Sequence, residues 1–398
     1  MAHVRLPDFV SREGPGDPDP YENLAWLREA MPVATVPGPD GEGTVWLVTT
    51  HSDARACLAD RRLSHDRRHA GRPGHGPEDH GDLLGKDPPD HTRLRHLVSP
   101  ILSPGATERL RPRVIETCTA LIDAFAGRGR ADLVADYSWP IPWAVIHDYY
   151  GIPEDQRLEV SRCIDRFLVA GYTEAPYGGG PATDELMAYV RDLIEYKRHH
   201  RDDDVTTIMI EGRESGIVHS EAELEGMLYV LLGAGMVSTG PLIAAAGLRL
   251  LQHPDELAKL LDGSLPWKIA VEESLRYDSP VQTSVNRWAI EDLTFGDTTI
   301  KKGDAVVISL AAANRDPARF ADAERFTVEQ WRSHLAFGHG IHLCVGAPLA
   351  RLEGEVALEL LFRRLPDLRL AEPAEDLAWT LGPKLRSPRE VPVLFEPC

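Results

Sequence analysis

Ten residues near the C-terminus, Phe337-Gly338-His339-Gly340-Ile341-His342-Leu343-Cys344-Val345-Gly346, set one cysteine in a glycine-bent loop directly ahead of a helical pattern. A helix N-terminus offers unpaired N–H groups and partial positive charge. A sulfur at Cys344 is therefore expected to sit there as thiolate, the form that ligates a metal. The helix is legible from Leu349, Leu352, Val356, Leu360 and Leu361, which recur at helical spacing, with Pro348 in the first turn where its missing N–H costs little.

Three chemistries compete for this loop. A lone cysteine on an apolar turn is commonly an inert small hydrophobe, but the spacing of glycines and histidines argues against that. Zinc held by His339, His342 and Cys344 is a second reading, although no second cysteine pair or nearby carboxylate completes a tetrahedral set. The third is haem iron with a thiolate axial ligand. Its glycines would let the backbone approach a porphyrin, His342 could meet a propionate, and electron donation from sulfur favours O–O cleavage.

The elements that must position such a site follow from the rest of the chain. Its 398 residues can bury a large core, and no Ser/Gly/Pro-rich or charge-run linker divides them, so residues 1–398 are expected to form a single domain. Cys57, Cys118, Cys163, Cys344 and Cys398 show no paired spacing and Met1-Ala2-His3-Val4-Arg5 carries no apolar signal region, which points to a reducing cytoplasm. A formal charge of −19 argues against nucleic acid as a partner. Gly226 to Leu248 contains no charged residue and is long enough for a bilayer, yet Ser238, Thr239 and Pro241 interrupt it and Glu221, Glu223 and Glu225 precede it. It reads as a buried core helix rather than a membrane span.

Local patterning predicts a helix over Pro20 to Ala30, strands near Val33 to Val36 and Thr44 to Thr49, and a helix from Asp53. Residues 64 to 90 read as a polar surface loop carrying His65, His69, His75 and His80, with a metal site or substrate lid as alternatives. From His91 to Leu261 the pattern is helical, broken at Ser103-Pro104-Gly105, Gly127-Arg128-Gly129, Gly151-Ile152-Pro153 and Gly178-Gly179-Gly180-Pro181. Leu293 to Ile300 with Ala305 to Leu310 reads as a hairpin, and Glu390 to Phe395 as a final strand.

With Phe337, Gly338, Gly340, His342, Cys344 and Gly346 in these positions, the chain resembles the cytochrome P450 family over nearly its whole length. That resemblance implies a mainly α fold with a small β-rich region. It also implies b-type haem ligated by Cys344, dioxygen as oxidant, and electrons from a ferredoxin and its ferredoxin reductase. Glu273-Ser274-Leu275-Arg276 resembles the family's helical Glu-x-x-Arg, which would join Arg325 in a structural ion network; Ala323 stands where the family usually has proline. His91 and Arg95, four apart and so on one helix face, would hold one haem propionate, Arg287 the other, with His342 completing the set. Arg93, Arg109, Arg111, Arg113, Arg351, Arg363 and Arg364 offer a basic face on which an acidic ferredoxin could dock.

The oxygen-side helix departs from the family's Ala-Gly-x-acid-Thr-Thr. Here it reads Ala234-Gly235-Met236-Val237-Ser238-Thr239, keeping the small Ala234 and Gly235 that pack over the porphyrin, but replacing the acid by Val237 and the alcohol by Ser238. Ser238 can still hydrogen-bond, whereas Val237 cannot titrate. Pro241 has no N–H, so the Val237 carbonyl is expected to lose its helical partner and face the oxygen pocket, where water or a substrate N–H or O–H would meet it. The run Gly233 to Gly240 resembles mycocyclosin synthase and related members acting on cyclic dipeptides, which join aromatic side chains. Gln282, Thr283, Ser284 and Asn286 lie in an expected substrate-lining segment, with others at Ser64 to Pro89, Phe167 to Met187 and Thr380 to Leu385. Together these favour C–C or C–N coupling of a Trp- or Tyr-containing cyclic dipeptide over ordinary hydroxylation of another secondary metabolite. A catalytically silent haem-binding recruitment module is the reading from a different class.

Overall fold

A computed structural model describes residues 20–37, 44–69, 82–173, 180–296, 298–329, 333–381 and 384–398. The N-terminal part runs α1 (Pro20–Ala30), β1 (Val33–Pro37), β2 (Thr44–Val48), α2 (His51–Ala59) and β3 (Leu63–Ser64). A helical stretch follows, with α3 (Asp90–Val98), α4 (Pro104–Glu108), α5 (Arg111–Ala126), a short β4 (Arg130–Asp132), α6 (Pro140–Tyr149), α7 (Arg157–Thr173), α8 (Pro181–His199) and α9 (Val205–Glu214). The centre consists of α10 (Glu221–Val237) and α11 (Thr239–Gln252), then α12 (Pro254–Leu261) and α13 (Lys268–Tyr277). Beyond them come β5 (Arg287–Ala289), β6 (Leu293–Phe295), β7 (Thr298–Ile300), β8 (Ala305–Ile308), α14 (Leu310–Asn314) and α15 (Ala347–Arg364). The chain closes with β9 (Arg369–Leu370), β10 (Trp379–Leu381), β11 (Arg386–Pro388) and β12 (Pro392–Leu394). Mainly α with small sheets is the class the sequence led us to expect.

The helices that carry the candidate residues are locked by packing. On α15, Leu349, Leu352, Val356 and Leu361 are buried against α5, α11 and α13. Gly354 lets α13 come close, because a Cβ there would lie 3.2 Å from a Val271 methyl. The Ser220 hydroxyl caps α10 by accepting from the Glu223 N–H at 3.1 Å, which fixes where this central helix begins. The span Glu221–Gln252 has the length and hydropathy to cross a bilayer, but it is two helices parted at Ser238 and 61% of its most apolar window is buried by the protein's own helices.

One expected pairing differs. The hairpin is β6 with β7, joining Leu293 to Ile300 across the strand pair, whereas β8 leaves it and runs parallel to β2 with Val45 opposite Ala305. This gives a five-stranded sheet in the order β1-β2-β8-β5-β3. Such short runs carry too little pattern to choose a partner, and β8, buried over Val306 to Ile308, packs against α2 as well as β2.

The ion network is also built differently. Arg276 and Glu273 are both wholly buried and pair on one face of α13, with Nε to Oε2 at 2.8 Å and Nη2 to Oε1 at 2.7 Å. The third partner is not the Arg325 side chain, which is exposed, but the Arg325 carbonyl, which accepts from Arg276 Nη2 at 3.0 Å. The Asn314 and Ala323 carbonyls accept the remaining Nη1 donors at 3.1 and 2.8 Å, and the Thr327 N–H donates to Glu273 at 3.0 Å. Backbone carbonyls satisfy a buried guanidinium as well as carboxylates do, and they tie the segment leading to the cysteine loop onto α13.

Candidate active site

The backbone positions Cys344. Gly338 and Gly340 turn the loop at φ +75° and +80°, a region that a side chain disfavours. At Gly340 a Cβ would additionally sit 2.8 Å from the Leu58 carbonyl oxygen. The Cys344 N–H donates to the Phe337 carbonyl at 2.9 Å, closing the loop, and the Gly346 and Ala347 N–H groups at the start of α15 point at the sulfur. The side chain is exposed to a cavity lined by the protein, and desolvation there pushes its pKa up, against the pull of those N–H groups, Arg95 and Arg351. An electrophile bound at the sulfur would add to the pull of these groups toward the thiolate.

Arg351 behaves differently from the solvated docking residue expected. Its Nε donates to Glu272 at 2.5 Å, and its guanidinium lies 4.5 Å from the centre of the Phe337 ring, bracing the loop from below. His334 Nε2 adds a third contact to Glu272 at 3.2 Å.

Across the cavity, α10 ends at Val237 and α11 starts at Thr239. Ala234 is exposed and lines the cavity, and a Cβ on Gly235 would strike Ile146 at 2.8 Å. The Ser238 hydroxyl donates to the Ala234 carbonyl at 3.2 Å, a back-bond of the kind that bends helices, and its oxygen keeps lone pairs for another donor. The ladder resumes with the Leu242 N–H donating to the Ser238 carbonyl at 3.3 Å. The Val237 carbonyl, as Pro241 led us to expect, finds no backbone donor among the described residues.

A corner of the same cavity gathers positive and imidazole groups. Arg287, on β5, is held by the Cys57 and Leu58 carbonyls, each 3.0 Å from Nη1, and its Nε has no partner. Burial lowers its pKa to about 10. Arg95 and His91 project from one face of α3; no carboxylate among the described residues pairs with Arg95, whose pKa burial lowers too. The His342 ring packs on His91 at 4.1 Å, and burial, followed by His91, Arg287 and Arg95, drives its pKa down to about 3. His91 Nε2 and His342 Nε2 are buried without partners. Unpaired buried donors and acceptors are costly, so this corner is built to receive an anion.

One cavity of 440 Å³ brings together every site residue anticipated from sequence: Phe337, His342, Cys344 and Gly346 on the loop, Ala234, Gly235, Val237 and Ser238 above it, and His91, Arg95 and Arg287 at the anionic corner. The remaining wall, with Val230, Leu231, Val281, Val285 and Leu385, is mostly apolar. That corrects the polar substrate pocket expected from residues 282–286. Gln282 turns inward and donates to the Asp278 and Ser279 carbonyls at 2.9 and 2.6 Å, and the Ser284 hydroxyl serves its neighbours Val285 and Ile308. Thr283 and Ser284 line the cavity and Gln282 and Asn286 do not; from Phe167 to Met187 no described residue reaches it.

The polar 64–90 stretch is not simply a surface loop. His65 is buried on the cavity wall and His69 is exposed, while His75 and His80 lie outside the described residues. Among the described residues no group of three or more His, Cys, Asp or Glu side chains could hold a metal ion, so His339, His342 and Cys344 do not assemble as a zinc set. His65 and Lys384, from the expected lining segments Ser64 to Pro89 and Thr380 to Leu385, border the cavity, whereas Glu353 is a lining residue that sequence reasoning missed. Glu353, one residue past Leu352 on α15, has Oε1 without a partner, and burial raises its pKa to about 8. Helical periodicity alone could have flagged it as an acid on a buried face.

The expected basic face is mostly neutralised. Arg93 pairs with Glu223 at 2.7 Å, Arg111 with Glu108 at 2.5 Å, Arg113 with Asp148 at 2.5 Å, Arg363 with Glu359 at 2.9 Å and Arg364 with Asp123 at 2.8 Å. Arg109 bonds the Gly105 carbonyl at 3.4 Å.

Residues 268–366 match the family described as Cytochrome P450. Over 408 aligned residues, covering 99% of this chain and 99% of the relative, the sequence is 38% identical to cytochrome P450 107B1 of Saccharopolyspora erythraea. The chain belongs to the cytochrome P450 family. This P450 is also 39% identical to the mycinamicin IV hydroxylase/epoxidase of Micromonospora griseorubida, over 93% of this chain and 94% of that one. Among solved structures it superposes on CxnD, the P450 for C–S bond formation in chuangxinmycin biosynthesis, with TM-score 0.88 and 30% identity, covering 99% of this chain and 98% of that one. It is an oxidoreductase of the secondary-metabolite type, working with dioxygen and external electrons on a small molecule.

P450s bind haem b through a cysteine thiolate. The residues present here fit that group. A single thiol faces the small-residue patch of Ala234 and Gly235, and the unpartnered Nε2 atoms of His91 and His342 and Nε of Arg287 suit its two carboxylates.

Proposed function

We propose that this P450 hydroxylates a compact, largely apolar secondary metabolite in the cytoplasm, with Cys344 as iron ligand and ferredoxin, reduced by ferredoxin reductase, as electron donor. The apolar wall of Val230, Leu231, Val281, Val285 and Leu385 carries this reading, because a substrate rich in amides would leave its polar groups unpaired there. Bound haem supplies the activation of dioxygen, which consumes two electrons and two protons. His91, Arg95, Arg287 and His342 orient it by its carboxylates, and Ala234 and Gly235 let α10 approach its face.

Protons must come from residues other than the missing distal acid. The Ser238 oxygen and the bare Val237 carbonyl can each accept from a water or a substrate hydroxyl, holding it in the groove where α10 breaks. Glu353 borders the same cavity and keeps its proton at neutral pH, since burial raises its pKa to about 8. In this reading Glu353 is a proton reservoir at the edge of the cavity. Being the proton-holding form, it works below its pKa, so product formation is expected to fall as pH rises through about 8. Glu353→Gln should lower the neutral-pH rate by roughly tenfold and remove that alkaline limb. An unchanged pH profile would count against that role.

A second reading is oxidative coupling of an aromatic cyclic dipeptide. Val237 in place of the acid favours it, since an acidic substrate N–H or O–H could then supply the proton, and the similar CxnD forms a C–S bond. Screening macrolactones, polyketide acids and Trp- and Tyr-containing cyclic dipeptides by shifts of the ferric Soret band finds the ligand. Weighing the turnover product then separates the readings, because hydroxylation adds oxygen and coupling removes hydrogen.

A further inference from the structure

We infer that His65 is an additional ligand of a haem carboxylate, acting through its Nε2, and that it takes up one proton when that carboxylate binds. The placement is set by the sheet. β3 pairs antiparallel with β5, Leu63 opposite Ala289 and Ser64 opposite Trp288, so one residue further along this register His65 falls opposite Arg287. The ring is anchored on all sides but one. Its Nδ1 donates to the Leu84 carbonyl at 3.0 Å, its backbone N–H donates to Asp87 at 3.1 Å, and its face stacks on His342 with centroids 3.6 Å apart and planes 19° apart. His91 lies on the same His342 ring, making a run of three imidazoles along the anionic corner.

All three Nε2 atoms in this run are buried and without a partner. A fold that leaves three adjacent imidazole nitrogens unsatisfied loses stability at each, unless a multidentate anion claims them together. With Nδ1–H given to Leu84, the neutral His65 ring offers only a lone pair at Nε2, and a carboxylate offers only lone pairs as well. The contact therefore forms when a proton from solvent adds to Nε2. No covalent bond is broken, and the imidazolium N–H donates to the carboxylate oxygen.

The groups facing His65 are Arg287 from β5, His342 from the cysteine loop, His91 and Arg95 from α3, and Asp87 from the segment before α3. Burial, then Arg287 and His342, holds the free ring well below its usual pKa, so it is neutral at neutral pH until the carboxylate arrives. The bound anion reverses the sign and raises the pKa, so the contact is fully present at lower pH and is lost as pH rises through the bound-state pKa. This inference rests on haem binding, which the family establishes, and not on the proposed substrate.

The test is the rate of haem transfer from holoenzyme to excess apomyoglobin between about pH 7 and pH 10, for the native chain, His65→Phe and His65→Gln. His65→Phe should lose haem about tenfold faster near neutrality, with the ratio to the native chain shrinking toward one at the alkaline end. His65→Gln, whose amide donates at any pH, should hold haem nearly as well as the native chain near neutrality and flatten the pH dependence. Resonance Raman bending modes of the propionates should shift in His65→Phe and remain close to native in His65→Gln. A His65→Phe ratio near one at every pH, or a His65→Gln variant indistinguishable from His65→Phe, would overturn the assignment.

Discussion

Cys344→Ala is expected to abolish the thiolate-type spectrum of the reduced carbon monoxide complex and to reduce product formation to background. Among the described residues no second cysteine lines the cavity: Cys57, Cys118 and Cys163 are buried elsewhere, and Cys398 lies at the exposed C-terminus. Nothing else that borders the cavity near the loop can donate electron density to iron as a thiolate does. The variant should still fold, since the loop is held by the Gly338 N–H to the Leu335 carbonyl at 2.8 Å and by Arg351 against Phe337, neither of which uses the sulfur. Carboxylate contacts remain, so some haem should still associate, with a spectrum of nitrogen or water ligation. Survival of the thiolate spectrum would refute Cys344 as the ligand.

Arg276→Met should produce the largest loss of stability. The guanidinium is wholly buried, and its removal leaves Glu273 charged with only the Thr327 N–H, while the Asn314, Ala323 and Arg325 carbonyls lose their donor. Breaking a buried pair from one side costs about 3–5 kcal/mol, a large share of the ~5–15 kcal/mol that holds a domain together. For a chain of this length that corresponds to a drop in melting temperature of about 4–6 °C, measured on matched haem-loaded samples. Because the carbonyls lead into the cysteine loop, haem retention should fall as well. The double variant Glu273→Gln/Arg276→Met should recover part of the loss, since it removes the stranded charge. A single variant as stable as the native chain would show that the network holds nothing.

What could be read in advance follows from how local each signal is. The cysteine loop, the helix after it and the His91/Arg95 pair depend on spacings of at most a few residues, and the structure places all of them on one cavity. His65 is legible only as one histidine of a candidate lining loop, because its place opposite Arg287 depends on pairing between β3 and β5, more than two hundred residues apart. The same limit misassigned β8, whose parallel partner β2 lies far upstream. Gln282 and Arg325 failed for another reason. Residue type suggested a side-chain role, but Gln282 spends its amide on nearby carbonyls and position 325 contributes only backbone.

The groove where α10 breaks is where this chain departs from its family, and it bears most directly on what is oxidised. Turnover under isotopically labelled dioxygen, with ferredoxin, its reductase and the ligand giving the largest Soret shift, tests the account most directly. A product heavier by one labelled oxygen atom is the expected result, with the second atom in water. A product lighter by two hydrogens and free of label would contradict hydroxylation.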